Sequence, residues 1–390
     1  MAKFPKKLAQ KLQDRSDKNT LRKLPATQRL VDFSSNDYLG LTNEISIEKA
    51  TSEILKLSHH KNGATGSRLL SGNHLLHEKL ENFLATFYNQ EGALLFNSGY
   101  DANVGFFSCV PQRGDIILYD ELMHASIRDG IKLSNAKAYK FKHNDVFDLN
   151  TQIGRIYDKG FQEEIYVVTE SVFSMDGDSP DLKVMAALCT KKNVHLIVDE
   201  AHAVGVFEKG LLNFLGIENQ VFAQIVTFGK AMGYHGAAVL GTIELKNYLI
   251  NFARSFVYTT AMPPHSAMTI LAAYRYLASK KGKNKVRKLH SNITYFKRLI
   301  KEFRLEKLVL PSDSAIQIVT VIGNDRAKQL SQNLIKNGFD VRPILSPTVA
   351  EGNERLRICL HAFNTEGEIH KLLSILKETH GQGLSNLRQL

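Results

Sequence analysis

Apolar residues in this chain fall into short consecutive runs, each followed by polar or glycine-bearing residues, with stretches of helical periodicity between them. The runs at 93–96, 115–118, 165–169, 195–198 and 225–227 are apolar at successive positions rather than at alternate ones. That pattern predicts strands covered on both faces, as in a parallel sheet flanked by helices. Strand runs alternate with helical patterns from about 46 to 275, so an α/β region with a mainly parallel central sheet is expected there. Ligands of such sheets gather at the carboxyl ends of the strands, and the residues just after each run are the ones to read for chemistry.

Beyond this region a lysine-rich helical stretch (Lys280, Lys281, Lys283, Lys285, Arg287, Lys288) predicts a surface crossing into a second, smaller α+β domain. Its expected strands lie at 315–321, 338–342 and 356–360, and its last helix at about 365–380 buries Ile369, Leu372, Leu373 and Leu376. Phe4, Leu8 and Leu12 recur at helical spacing near the start, among Lys3, Lys6, Lys7, Lys11, Arg15, Lys18, Arg22 and Lys23. An amphipathic surface helix is expected there. The division is an N-terminal arm at 1–45, a large domain at 46–277 and a small domain at 278–390.

Composition narrows the class. The chain has 390 residues, 43% hydrophobic and 23% charged, as soluble globular proteins do. No apolar run approaches the roughly 20 residues that cross a bilayer, so no membrane partner is expected. The first residues lack a secretory signal, and Cys109, Cys189 and Cys359 form no C-x-x-C pair or disulfide framework. A reducing cytoplasm is the expected compartment. The net charge of +11 fits either a polyanionic partner or a basic, soluble surface.

Chemistry concentrates after the runs. Lys230 stands between Gly229 and Gly233 in T-F-G-K-A-M-G, and Asp199 ends the 195–198 run. A lysine in a glycine turn beside an acid at a neighbouring strand end suits an enzyme holding pyridoxal phosphate. The amine forms an imine with the cofactor and the carboxylate keeps its ring nitrogen protonated. Asn97-Ser98-Gly99-Tyr100 opens a helix, where free backbone N–H groups favour a phosphate. Such turns are common, and alone this one is not diagnostic. His124 and Ser174 follow two further strands, and His202 comes three residues after Asp199; an imidazole there can stack on a ring, and hydroxyl or imidazole groups can bond its oxygen. The sequence V-D-E-A-H at 198–202 also matches a helicase metal box, yet no G-x-x-x-x-G-K-[ST] loop accompanies it. Nucleic acid is therefore not an expected partner. His74, His77 and Glu78, and the pair His59-His60, lack a third ligand at usable spacing, so no metal is expected.

Nine segments, in order over nearly the whole chain, carry a resemblance: F-S-S-N-D-Y-L-G at 33–40, G-A-T-G-S-R-L-L-S-G at 63–72, N-S-G-Y-D-A-N at 97–103, H-A-S at 124–126, T-E-S-V-F-S-M-D-G-D at 169–178, V-D-E-A-H at 198–202, T-F-G-K at 227–230, Y-T-T-A-M-P-P at 258–264 and R-L-R at 355–357. The chain resembles the α-oxoamine synthases, pyridoxal-phosphate enzymes of the aminotransferase-like fold type I. The resemblance implies a homodimer that condenses an amino acid with an acyl thioester, on coenzyme A or acyl carrier protein, with loss of carbon dioxide. Within the family it is nearest to the biotin-pathway members, which join L-alanine to a pimeloyl group. Members using other amino acids and acyl groups are the alternatives, followed by aminotransferases and lyases.

The same resemblance implies residue roles. Lys230 is the imine lysine and proton acceptor, Asp199 pairs with the ring nitrogen, His202 and Ser174 bond the ring oxygen, and His124 stacks on the ring and meets substrate. Gly99, Tyr100 and Thr227 hold the phosphate, and Thr259 or Thr260 reaches the partner subunit's phosphate. Arg357 clamps the amino acid carboxylate, and Arg22 and Thr348 contact the acyl substrate. Two departures stand out: Tyr234-His235 is bulky enough to narrow the pocket, and the 342–348 loop looks extended, which leaves Arg342 and Thr348 open in alignment.

Overall fold

A computed structural model describes residues 4–22, 24, 29–58 and 62–386. Lys3, Lys23 and the pair His59-His60 lie outside the described residues. Strand β1 is Val31–Asp32, β2 Gly92–Phe96, β3 Ile116–Asp120, β4 Lys137–Phe141, β5 Ile165–Glu170 and β6 His195–Asp199. The rest are β7 Ala223–Thr227, β8 Ala237–Gly241, β9 Ile316–Thr320, β10 Phe339–Asp340, β11 Arg342–Ile344 and β12 Arg355–Cys359.

Seven strands form the large sheet in the order β2-β8-β7-β6-β5-β3-β4. All its pairings are parallel except those of β8, which runs antiparallel to both neighbours. The two-residue period of a strand sends consecutive apolar residues to opposite faces. Leu94, Ile117, Val168 and Ile197 accordingly belong to one core, while Leu95, Leu118, Val167 and Val198 belong to the other. This double coverage is why the runs read as unbroken apolar segments.

The lysine-rich stretch is the first half of one amphipathic helix, Lys280–Glu302, which buries Val286, Leu289, Ile293, Phe296 and Leu299. It leads to a three-stranded antiparallel sheet in the order β11-β12-β9. The strand expected at 338–342 is divided: β10 pairs in parallel with β1 from the N-terminal arm, and β11 joins β12. The last helix, Glu366–Asn386, buries Ile369, Leu372, Leu373 and Leu376. Its entry is a capping box, with the Thr365 hydroxyl accepting from Glu368 N–H and the Glu368 carboxylate accepting from Thr365 N–H. The N-terminal helix Lys6–Asp17 buries no residue of its own.

A buried carboxylate ties the large sheet to its helices. Glu81, on the helix Leu75–Tyr88, meets Arg68 at 2.8 Å and Lys246 at 3.0 Å, and accepts from the β2 amide of Leu95 at 3.1 Å. Burial alone raises its pKa, but the Arg68 guanidinium leads a set of partners that hold it below the usual carboxylate range. Arg68→Met leaves that carboxylate with Lys246 and one amide. The expected result is a loss of about 3 kcal/mol, read from urea melts followed by circular dichroism.

Candidate active site

Five side chains nominated from sequence line one cavity of about 250 Å³: His124, Ser174, His202 and Lys230, which follow β3, β5, β6 and β7, and Arg357 from within β12. Ser34, Asn36, Met175, Arg342 and Ile344 complete its wall. Lys230 reaches it from a tight turn after β7, in which Gly233 N–H donates to the Lys230 carbonyl and Tyr234 N–H to the Phe228 carbonyl. Gly233 has φ of 67°, and a Cβ there would lie 2.6 Å from the Thr42 amide nitrogen, so only glycine fits. Burial lowers the Lys230 pKa from its ordinary 10.5 to about 8, against the opposing charges of Asp199 and Glu170 and with help from Arg357. An amine so placed is available as a base and nucleophile near neutral pH.

Asp199 ends β6, 6% exposed, and accepts from Asn103 Nδ2 at 2.9 Å and from Ala201 N–H at 2.9 Å. The same Asn103 amide donates to Ser126 Oγ at 3.0 Å, and Ser126 Oγ stands 2.7 Å from His124 Nδ1. The Ser126 hydroxyl, already accepting from Asn103, donates to that nitrogen and leaves His124 Nε2 carrying the hydrogen. A chain of four residues thus joins the acid to the cavity histidine. Glu170 is the register neighbour of Asp199 on β5, and its Oε1 accepts from His124 N–H at 2.6 Å. Burial first, and then the Asp199 charge, push the Glu170 pKa up to about 8. Of these two adjacent carboxyl groups, Glu170 is the neutral one at pH 7.

Both cavity histidines are neutral. Burial lowers the His124 pKa and lowers that of His202 well below 6.5, with the Lys230 charge acting in the same direction. His202 Nδ1 lies 2.7 Å from the hydroxyl of Tyr38, a residue with no exposed surface. Arg357, on β12 and 9% exposed, donates through Nε to the Ser174 carbonyl at 2.7 Å and through Nη2 to Asn36 Oδ1 at 3.0 Å. Among the described residues Arg357 has no carboxylate partner, whereas its neighbour Arg355 pairs with Asp176. A buried guanidinium held by neutral groups is an anion site.

A second anion site lies at the amino end of the helix Gly99–Cys109, where Gly99 faces Thr227 and a Cβ would sit 3.5 Å from its hydroxyl. The Thr227 hydroxyl donates to the Gly236 carbonyl at 3.1 Å. An amine, a buried acid, two anion sites and a neutral imidazole at one set of strand ends fit a pyridine aldehyde that bears a phosphate.

Other nominated residues fall elsewhere in the single chain. Tyr100 is half exposed and its hydroxyl donates to Asp129 at 2.7 Å, so only its backbone faces the helix entrance. Thr260 is exposed and its carbonyl accepts from Asn97 at 2.8 Å, in a separate small cavity. Arg22 and Thr348 share a neighbouring cavity of about 200 Å³ that meets the first only at Ile344. Tyr234 and His235 do not line the 250 Å³ cavity: His235 is exposed and the Tyr234 hydroxyl stands 3.3 Å from Ser266 Oγ, so the expected narrowing is absent. Glu200 of the D-E-A-H run is buried, with Oε1 accepting from Leu212 N–H at 3.0 Å, which makes it a structural carboxyl. His74 caps the helix Leu75–Tyr88, and the described residues contain no metal-binding cluster.

Residues 28–376 match the aminotransferase class I and II family. The chain belongs to that family. Among its curated relatives is the 8-amino-7-oxononanoate synthase of Emericella nidulans, 38% identical over 95% of this chain and 94% of the relative. The family likeness extends to solved structures. A serine palmitoyltransferase from S. paucimobilis with PLP and myriocin bound has a TM-score of 0.85 at 27% identity, covering 96% of each chain. The 8-amino-7-oxononanoate synthase of Francisella tularensis has a TM-score of 0.75 at 30% identity, covering 91% of this chain and 99% of that one. The fold is the fold type I arrangement of these enzymes. Asn36, Tyr38, Asn103, Ser126 and Glu170 complete the site although no role was assigned to them from sequence. Each sits inside a segment that carries the resemblance, and that position was the available signal.

Proposed function

We propose that this chain is a pyridoxal-phosphate-dependent 8-amino-7-oxononanoate synthase, joining L-alanine to a pimeloyl thioester with release of carbon dioxide and free thiol. The observation that carries this reading is that Lys230 and Arg357, which has no carboxylate partner among the described residues, line one cavity whose His124 is joined through Ser126 and Asn103 to the buried Asp199, in a chain whose curated relatives bear that name. Pyridoxal phosphate, when bound, supplies the electron sink that makes the amino acid's α-hydrogen acidic. Lys230 would hold that group and, once freed, would serve as the base for that hydrogen at Nζ, which its lowered pKa permits. Asp199 would keep the ring nitrogen protonated, His124 would lie against the ring, and Ser174 and His202 would hold the ring oxygen. Gly99, Tyr100 and Thr227 seat the phosphate through backbone and hydroxyl groups.

Arg357 takes the amino acid carboxylate as a planar fork, and its four neutral partners, the Ser174 carbonyl, Cys359 Sγ, Asn36 Oδ1 and the Tyr38 hydroxyl, keep it aimed. Arg22 and Thr348, across Ile344, receive the acyl donor, on coenzyme A or acyl carrier protein. The chain works as a cytoplasmic homodimer, in which Thr260 serves the partner subunit's phosphate site. Its arm, large domain and small domain divide at about 45 and 277. No described helix is long and apolar enough to cross a membrane. A second reading is another α-oxoamine synthase, which the TM-score of 0.85 to a serine palmitoyltransferase favours.

One experiment separates the readings: alanine, glycine and serine assayed against acetyl, pimeloyl and palmitoyl thioesters, with product mass determined. Alanine with a pimeloyl thioester is the expected pair. Turnover of serine with the long-chain thioester alone would transfer the assignment to the second reading.

A further inference from the structure

His143 lies outside the cavity, yet both of its ring nitrogens face carboxylates. Nδ1 is 2.9 Å from Asp120 Oδ1, and Nε2 is 2.9 Å from Asp178 Oδ2. Ionised carboxylates accept and do not donate, so both nitrogens carry hydrogen. The two acids belong to the turns that carry cavity residues. Asp120 ends β3 with no exposed surface and accepts from Leu122 N–H and Asn144 N–H, each at 2.8 Å, while its carbonyl accepts from Met123 N–H. That folds the chain into His124. Asp178 closes the turn that presents Ser174, its carbonyl accepting from Phe173 N–H, and its carboxylate also takes Asn144 Nδ2 at 2.8 Å. The His143 ring meets the edge of Phe173 at 4.5 Å between centroids.

We propose that His143, bridging Asp120 and Asp178 through both ring N–H groups, is a positioning residue that locks the His124 turn to the Ser174 turn and so fixes the width of the cavity between them. The inference rests on the proposed function only in taking that cavity as the amino acid site. From the opposite side the Ser174 turn is tied to the small sheet, by Arg355 at Asp176 and the Met175 carbonyl and by Ser312 and Ser314 at the Gly177 carbonyl. His143 is the counter-tie to β3. Without it only Asn144, through its N–H to Asp120 and its Nδ2 to Asp178, spans the two turns, so the Ser174 turn follows the small sheet more closely, and Arg357, which holds the Ser174 carbonyl, moves with it. Burial by itself lowers the His143 pKa, but the hydrogen bonds and charges of Asp120 and Asp178 raise it to about 10. The remaining polar neighbours are Asn144, whose Nδ2 stands 3.2 Å from His143 Nε2 and shares the Asp178 oxygen with it, and Glu121, whose carboxylate accepts from His143 N–H at 3.3 Å and pairs with Lys140.

The first test needs no substrate. In ¹⁵N-histidine-labelled protein the His143 ring, assigned by loss of its signals in His143→Gln, is expected to show two protonated nitrogens at pH 8. A neutral, single-tautomer signal there would overturn the charged strut. The second test is kinetic. His143→Gln can donate toward only one acid, and Asp178→Asn keeps the tie to Asp120 while weakening the span. Both are expected to raise the amino acid KM and lower kcat/KM by about 10²-fold, with the thioester KM unchanged. A folded variant with wild-type kinetics would refute the inference. If His143→Gln does not fold, Asp178→Asn carries the kinetic test alone. The nuclear resonance result stands whichever amino acid the enzyme uses.

Discussion

Lys230→Ala is expected to lower turnover by about 10⁴-fold or more while leaving the melting profile of the protein close to that of the parent. In the proposed function the variant loses the group that captures the cofactor and also the base that takes the α-hydrogen, and each role alone accounts for orders of magnitude. Lys230→Arg is expected to fare no better, since a guanidinium cannot give up its proton in this range. Borohydride treatment of the parent protein loaded with pyridoxal phosphate, followed by peptide mapping, places the label on Lys230. A label on another lysine would remove the basis for every role assigned here. The pH dependence provides a separate check. The neutral amine is the reactive form, and lowering the pKa from 10.5 to about 8 raises its share at pH 7 by roughly 300-fold. Capture of pyridoxal phosphate by cofactor-free protein, followed by stopped-flow absorbance, should therefore climb with pH up to about 8 and level above it. A rate still climbing at pH 10 would mean that burial and Arg357 do not depress this amine.

The central sheet was legible because five of its strands are covered on both faces, which leaves consecutive apolar residues as an unmistakable trace. β4 was not legible for the opposite reason. It lies at the sheet edge with Lys137, Tyr139 and Lys140 exposed, and charged side chains on an edge strand hide its strand character while guarding against unwanted pairing. β8 was hidden by its alanines and by its antiparallel return from the Lys230 turn, which strand-then-helix alternation does not anticipate. At the site, residues just after strand runs were readable because a parallel sheet sends them all to one end. Asn36 and Tyr38 come from the N-terminal arm, which folds beside β12 through pairings hundreds of residues apart, and no local pattern announces that. Asn103, Ser126 and Glu170 act on other side chains rather than on a ligand, so their importance depends on distances that spacing alone does not encode. Tyr100 and Thr260 were placed by resemblance, and in the single chain they stand away from the cavity because their side chains point to surface rather than to the strand ends.

Asp199→Asn is expected to cost about 10³-fold in kcat, at the upper end for loss of one preorganised electrostatic group. The substitution keeps the shape of the side chain and one carbonyl oxygen, so Ala201 N–H retains an acceptor. What disappears is the negative charge proposed to hold a proton on the cofactor ring nitrogen, and the new amide presents hydrogens toward Asn103, which is itself a donor. Glu170 does not make good the loss. Removing the Asp199 charge takes away one of three causes that raise the Glu170 pKa, so that pKa moves down, while burial, the largest cause, and the Asp120 charge remain. Any charge Glu170 gains sits one strand away, against the His124 amide, rather than at the end of β6. Glu170→Gln provides the contrast. Because Glu170 is already neutral at pH 7, the amide replaces a carboxyl group of the same charge and still accepts from His124 N–H, so a loss of less than about tenfold is expected. Steady-state kinetics of the two variants at pH 7, with the absorbance of bound cofactor recorded alongside, decide the matter. Equal losses would mean that the two acids share one negative charge and that the division into a charged partner and a neutral prop is wrong.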